Sequence, residues 1–175
     1  MKKDYVWAKT LLTIYRYLER IAGAIDKIVE KTGLGSANIC GQNYFYNNIF
    51  TVADKMIELS ERKVTLINVK ILVEDVLKNM DQENAEILIE KFFDGVKTRE
   101  LVERHGISMR TAFRKIDAAV KAFASGLVVK GYNDFKLESL LKDEHWILVV
   151  RDQFLTKDED EVTLSNLFLN KAVAM

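Results

Sequence analysis

From Trp7 to Ile28 the apolar residues Trp7, Leu11, Ile14, Leu18, Ile21, Ile25 and Ile28 recur in alternating steps of four and three. At 3.6 residues per turn such a seam lies on one face of an α-helix, so residues 5–31 are committed to a helix held for three heptads. The rest of the chain is free to follow suit, because its 175 residues include no proline. Proline ends helices and shapes turns and edge strands, and a chain of ordinary composition uses it at about 5%. Its absence predicts long helices joined by simple loops.

Gly33, just beyond Lys31, is predicted to end this first helix in a left-handed conformation. A polar stretch over 33–43 follows. The apolar pattern resumes at Tyr44, Phe45, Ile49, Val52, Met56, Leu59, Leu66, Val69, Val73, Val76 or Leu77, and Met80. The β-branched run Val64–Val73 would also suit a strand, but helical spacing on both sides predicts one helix, with room for a break at 62–65. Two helices of this length, each roughly 40 Å, bury their seams as an antiparallel hairpin or a dimeric bundle. The intervening Gly33-Leu34-Gly35 and Gly41 are no phosphate cradle, since Gly41 is followed by Gln42 and Asn43 rather than lysine and a hydroxyl. Tyr44, Phe45 and Tyr46 are assigned to packing.

Charge excludes less than its total suggests. The 26 basic and 26 acidic side chains cancel, yet residues 97–121 hold Lys97, Arg99, Arg104, Arg110, Arg114, Lys115 and Lys121 against Glu100, Glu103 and Asp117. Residues 130–161 reverse the balance, with nine acids and five bases. Neutrality is the sum of a basic segment and an acidic one.

The basic segment coincides with a motif. Thr98 is predicted to cap a short helix through His105, Gly106 to supply the positive-φ turn, Ile107 to plug the gap between helices, and Ser108 to cap a second helix over 108–123. This is a helix-turn-helix, whose second helix enters the major groove of duplex DNA. Met109, Arg110, Thr111, Arg114 and Lys115 fall on its exposed side, and Ala112, Ile116, Ala119 or Val120, and Phe123 on its buried side. Arg110 and Arg114, one turn apart, suit guanine edges or phosphates, because a guanidinium presents paired donors. Arg99 and Thr111 suit phosphates, and Lys115 and Lys121 add nonspecific attraction. The candidate DNA-binding residues are thus Arg99, Ser108, Met109, Arg110, Thr111, Arg114, Lys115 and Lys121.

Upstream, a cap at Asp81-Gln-Glu-Asn precedes an apolar helix with Ala85, Ile87, Leu88, Ile89, Phe92 and Phe93. An apolar helix ending in an aromatic, a short helix, Gly-Ile-Ser and a helix bearing threonine and basic residues together resemble region 4 of bacterial sigma-70 family factors. The resemblance covers residues 81–127. The long helical hairpin before it looks like that of phage and mobile-element proteins carrying a sigma-region-4-like motif. What this resemblance implies is a transcriptional regulator on duplex DNA, with RNA polymerase as a further partner. The alternative is an interaction module that grips polymerase or a partner chain through the same fold without reading DNA. His105, Val102, Phe113, Met109 and Arg110 depart from the residues usual at their sites in the family.

No catalytic residue is predicted, and neither a metal nor a cofactor. His105 and His145 lie in different segments without metal-ligand spacing, and no nucleophile elbow occurs. His105 is read as a helix-end residue near carbonyls. The single cysteine, Cys40, cannot form an internal disulfide and agrees with a reducing compartment. With apolar runs no longer than about Trp146–Val150 and no secretory pattern at the start, the expected location is the cytoplasm, off the membrane. After 127, Asp134 is expected to cap a helix through Leu141, Trp146–Val150 to form a strand or a helix, and Asp158–Glu161 to open a last helix. The expected fold is all-α, in three parts: a hairpin over 1–80, a DNA-binding bundle over 81–127, and an extension over 128–175 that packs on the bundle or on a partner chain. A homodimer would double the DNA site.

Overall fold

The computed structural model describes the backbone of residues 3–37 and 45–156 and, within these, the side chains of 5–32 and 50–155. The expectations for the loop over 38–43, for the packing of Tyr44–Tyr46 and for the helix opened by Asp158–Glu161 lie outside the described residues. Every regular element among the described residues is helical: α1 (Lys3–Ala37), α2 (Phe45–Lys78), α3 (Gln82–Leu88), α4 (Thr98–His105), α5 (Met109–Val129), α6 (Asp134–Leu141) and α7 (His145–Thr156). A π-helical turn, Ile89–Phe93, continues α3. Trp146–Val150 is therefore helix. The chain forms two compact units, Tyr15–Asp75 and the combination of Met1–Ile14 with Val76–Met175. The divisions drawn from the sequence near 80 and 127 do not coincide with these.

The unit Tyr15–Asp75 is an antiparallel pair. Tyr15 donates to Glu74 at 2.7 Å, Lys70 to Glu19 at 2.8 Å and Lys63 to Asp26 at 2.6 Å, so positions rise along α1 as they fall along α2. Between them Leu18, Ala22 and Ile25 are buried, as are Leu66, Val69, Leu72 and Val73. Burial, and after it the hydrogen bond to the Glu74 carboxylate, pushes the Tyr15 phenol up to about 12. Two expectations are corrected. α1 runs through Gly33 to Ala37, because one glycine inside a long helix costs only about 1 kcal/mol relative to alanine. α2 crosses 62–65 unbroken, with the Thr65 hydroxyl returned to the Glu61 carbonyl at 3.1 Å as β-branched residues in helices allow.

In the other unit the first turns of α1 are enclosed on every side. Each residue from Tyr5 to Leu12 is less than a tenth exposed, Lys9 and Thr10 included. Polar atoms at such depth need partners. Thr10 donates to the Val6 carbonyl at 2.8 Å, the Lys9 ammonium lies 4.6 Å from the centre of the Tyr5 ring, and Tyr5 donates to Asp117 of α5 at 2.7 Å. The Arg151 guanidinium of α7 covers the Trp7 ring at 5.4 Å. Ala119, Val120, Phe123 and Leu127 of α5, with Leu137, Leu141, Ile147 and Val150 of α6 and α7, complete the core. A Cβ on Gly126 would stand 2.7 Å from the Val76 methyl, so glycine is what lets α5 approach the end of α2 so closely. α5 closes at Gly131 (φ 81°), with Gly131 bonded to the Val128 carbonyl and Tyr132 to that of Leu127, the pairing that satisfies the last carbonyls of a helix. The cap of α6 is Asn133, whose side chain accepts from the Lys136 amide at 2.9 Å. Asp134, predicted for that role, is the first helical residue.

Candidate nucleic-acid interface

Residues 82–129 form a frame of three helices in which α3 and α4 both pack on α5. Ile87 and Leu88 from α3, Leu101 from α4 and Ala112 from α5 are buried between them. Their meeting point is a cavity of 80 Å³, with Ile107 and Ile116 on its wall and Glu83, His105 and Lys115 at its rim. The turn between α4 and α5 is built as its sequence predicts. Gly106 takes φ 60° and Ile107 donates to the Val102 carbonyl at 3.2 Å. Ser108 caps α5 by accepting from the Thr111 amide at 3.1 Å, and its hydroxyl pairs with that of Thr111 at 2.8 Å.

Three local expectations are corrected. Lys97, not Thr98, precedes α4, without a side-chain cap, and the Thr98 hydroxyl accepts from Lys91 at 3.0 Å. Asp81 precedes α3 but its side chain makes no cap bond. Among the described residues His105 bonds no carbonyl: its Nε2 lies 3.1 Å from a carboxylate oxygen of Glu90, which the π-helical turn carries.

The cations of the basic segment divide into two groups. Arg99 lies 3.7 Å from Glu103, one turn along the same helix, with both side chains largely exposed. Lys115 is turned back toward α3 and ion-paired with Glu83, whose carboxyl it holds below the usual range. Lys121 donates to Asp117 at 2.6 Å, and together with Tyr5 it holds that carboxyl down as well. Lys97, Arg104, Arg110 and Arg114 are exposed and make no ion pair among the described residues. Arg110 and Arg114 stand one turn apart near the start of α5, where the backbone amides of a helix already favour negative charge.

Of the sequence-selected residues, Ser108 and Thr111 shape the start of α5, while Met109, Arg110 and Arg114 share its exposed side. Arg99 sits on α4, and Lys115 and Lys121 are engaged within the fold. Phe113 joins the exposed side at 49% exposure, beside Met109 at 42%. The sequence marked Phe113 only as unusual for an exposed site. Lys97 and Arg104 entered the charge tally but not the candidate set, and their freedom from ion pairs is visible only once their neighbours are placed.

Among the described residues no three His, Cys, Asp or Glu side chains gather into a metal-binding group, and no helix is long and apolar enough to cross a membrane. Comparison with protein-family models, with curated proteins and with solved structures gave no match to this chain.

Proposed function

We propose that this protein is a transcriptional regulator that binds duplex DNA, with α5 entering the major groove and α4 lying across the backbone. One observation carries the reading: Arg110 and Arg114, exposed and without ion pairs among the described residues, project one turn apart from the first half of a helix held on a three-helix frame. A guanidinium in that position bonds guanine edges or phosphate oxygens in pairs. Lys97 and Arg104 supply sequence-independent attraction through counterion release. Ser108 and Thr111 fix the start of the reading helix, and Phe113 offers an apolar contact for a thymine methyl. The resemblance of residues 81–127 to sigma region 4 supports the same reading. It calls for no cofactor and no covalent chemistry, and places the protein in the cytoplasm.

Selection of bound sequences from random duplex DNA at two salt concentrations tests it. A consensus should emerge at the higher salt and bind more tightly at the lower one. Absence of any salt-sensitive binding sinks the proposal. A second reading has its own observation, the exposed Met109 and Phe113, residue types enriched where proteins meet proteins. In that reading the same face grips RNA polymerase or another chain. Retention of polymerase subunits without DNA, unaffected by Arg110→Ala and Arg114→Ala, would favour it.

A further inference from the structure

The exposed side of α2 is apolar at a fixed interval. Phe50, Ile57, Val64 and Ile71 follow one another at steps of seven, and they are 70%, 57%, 56% and 56% exposed; Ile67, on the same side, is 38% exposed. None of them is buried in the hairpin seam, although Ile57 and Val64 border an open groove with Val29 of α1. A stripe of this length runs roughly 32 Å along the helix, and its five side chains expose on the order of 500 Å² of apolar surface, at the top of what the largest patch on a monomer carries. The hairpin needs one apolar face of α2, and a second, regularly spaced one is surplus to it.

From this stripe we infer that α2 pairs with α2 of a second copy of this chain, in parallel, as a two-stranded coiled coil. The interval is the first argument. A strict seven-residue repeat on a 3.6-residue helix specifies a left-handed supercoil with another helix, and Phe50, Ile57, Val64 and Ile71 fill one core position of that repeat. Ala53 and Ser60 alternate with them along the stripe and are small enough for the backbones to approach. Area is the second argument. Two copies bury about 1,000 Å² from the stripes alone, and the flanking side chains carry the total to the roughly 1,200 Å² at which specific interfaces begin.

Charge decides the direction. Asp54 and Glu61 border the stripe on one side, Lys63 and Lys70 on the other. Parallel pairing brings Lys70 of each copy toward Asp75 of the partner copy and keeps the acids of the two copies apart, whereas antiparallel pairing sets acids against acids. Lys63 and Lys70 already meet Asp26 and Glu19 in their own chain, but an ammonium has three donors and accommodates a second carboxylate. The inference does not depend on DNA binding.

The full chain is examined by sedimentation equilibrium as wild type and as Ile57→Asp and Val64→Asp. The wild type should have twice the monomer mass and each variant the monomer mass. Helical circular dichroism should be unchanged, since both positions are exposed within their own chain. A second experiment fixes the direction: Ala53→Cys, in a chain with Cys40→Ser, should cross-link copy to copy on mild oxidation, because only parallel pairing puts residue 53 opposite itself. A monomeric wild type, as expected if α2 serves a different protein or a lipid surface, overturns the inference. So does a dimer that survives both aspartates, or one that does not cross-link through residue 53.

Discussion

The two halves of α5 differ in how many basic side chains they carry, three in the first (Arg110, Arg114 and Lys115) and Lys121 alone in the second, and in what those side chains do. In the first half Arg110 and Arg114 project from the frame without ion pairs among the described residues, beside exposed Met109 and Phe113. In the second half Lys121 is tied to Asp117, which Tyr5 of α1 also holds, while Ala119, Val120, Phe123 and Leu127 are buried. One helix thus serves as a surface at its start and as a pillar of the core at its end. A cation's place in the sequence says little about its availability, because a carboxylate brought near by the fold decides whether its charge is spent internally.

Substitutions should separate the halves, most strongly in the pillar. Phe123→Ala is expected to cost about 3–5 kcal/mol, the transfer term plus the cavity left behind, read as a lower denaturation midpoint. Any DNA binding should fall in proportion to the folded fraction. Gly126→Ala should destabilise by about 1–3 kcal/mol through overlap with Val76, outweighing the gain in helix propensity. A more stable Gly126→Ala protein would show that the approach of α5 to Val76 is looser than described. In the surface half, Arg110→Ala and Arg114→Ala should each weaken a selected DNA site by about 1–3 kcal/mol with the thermal midpoint unchanged. Equal losses on every DNA sequence would move these arginines from base reading to phosphate contact.

Asp117→Asn probes the junction of the halves. Its carboxyl is held below the ordinary 3.8 by Lys121 first and Tyr5 second, and a depressed carboxylate stabilises the fold above its unfolded value and loses that contribution as pH falls through its folded value. The wild type should therefore exceed the variant by about 1 kcal/mol at neutral pH, allowing for solvent screening of a half-exposed pair. The gap should close in acid as pH falls below 3.8. A gap that persists there would assign the effect to packing. The smallest effect belongs to Lys121→Ala, at most about 0.5 kcal/mol in stability for an exposed pair one turn apart, and little in DNA affinity, because Asp117 already occupies its charge. A uniform loss of affinity on all DNA sequences would restore Lys121 to the interface.

How far the sequence could be read followed the range of the interactions involved. The turn at Gly106, the Ser108 cap and the buried side of α5 were legible because each depends on residues a few positions apart. Two long helices with matching seams were legible because steps of three and four need a matching surface, while their pairing within one chain rather than between two came from contacts such as Tyr15 with Glu74. The N-terminal turns misled in a specific way. Their periodicity describes one face, yet Tyr5–Leu12 is enclosed on all of them, since Lys9 finds the Tyr5 ring and Thr10 the Val6 carbonyl. The stripe on α2 was present in the sequence too, but masked by the stronger seam on its other side; only the placement of α1 showed which apolar residues remained uncovered.

By itself, then, the order of residues pointed to an all-α fold, to two long helices with matching seams and to a helix-turn-helix, all of which follow from local spacing, caps and the lack of proline. The tertiary structure decided that the two long helices pair within one chain, that the start of α1 belongs to the core around α5, that Lys115 and Lys121 face carboxylates while Arg110 and Arg114 make no ion pair among the described residues, and that α2 keeps a second apolar face. Those outcomes join residues such as Tyr5 and Asp117, separated by more than half the chain, and no periodicity in a sequence records which distant side chain will supply a partner.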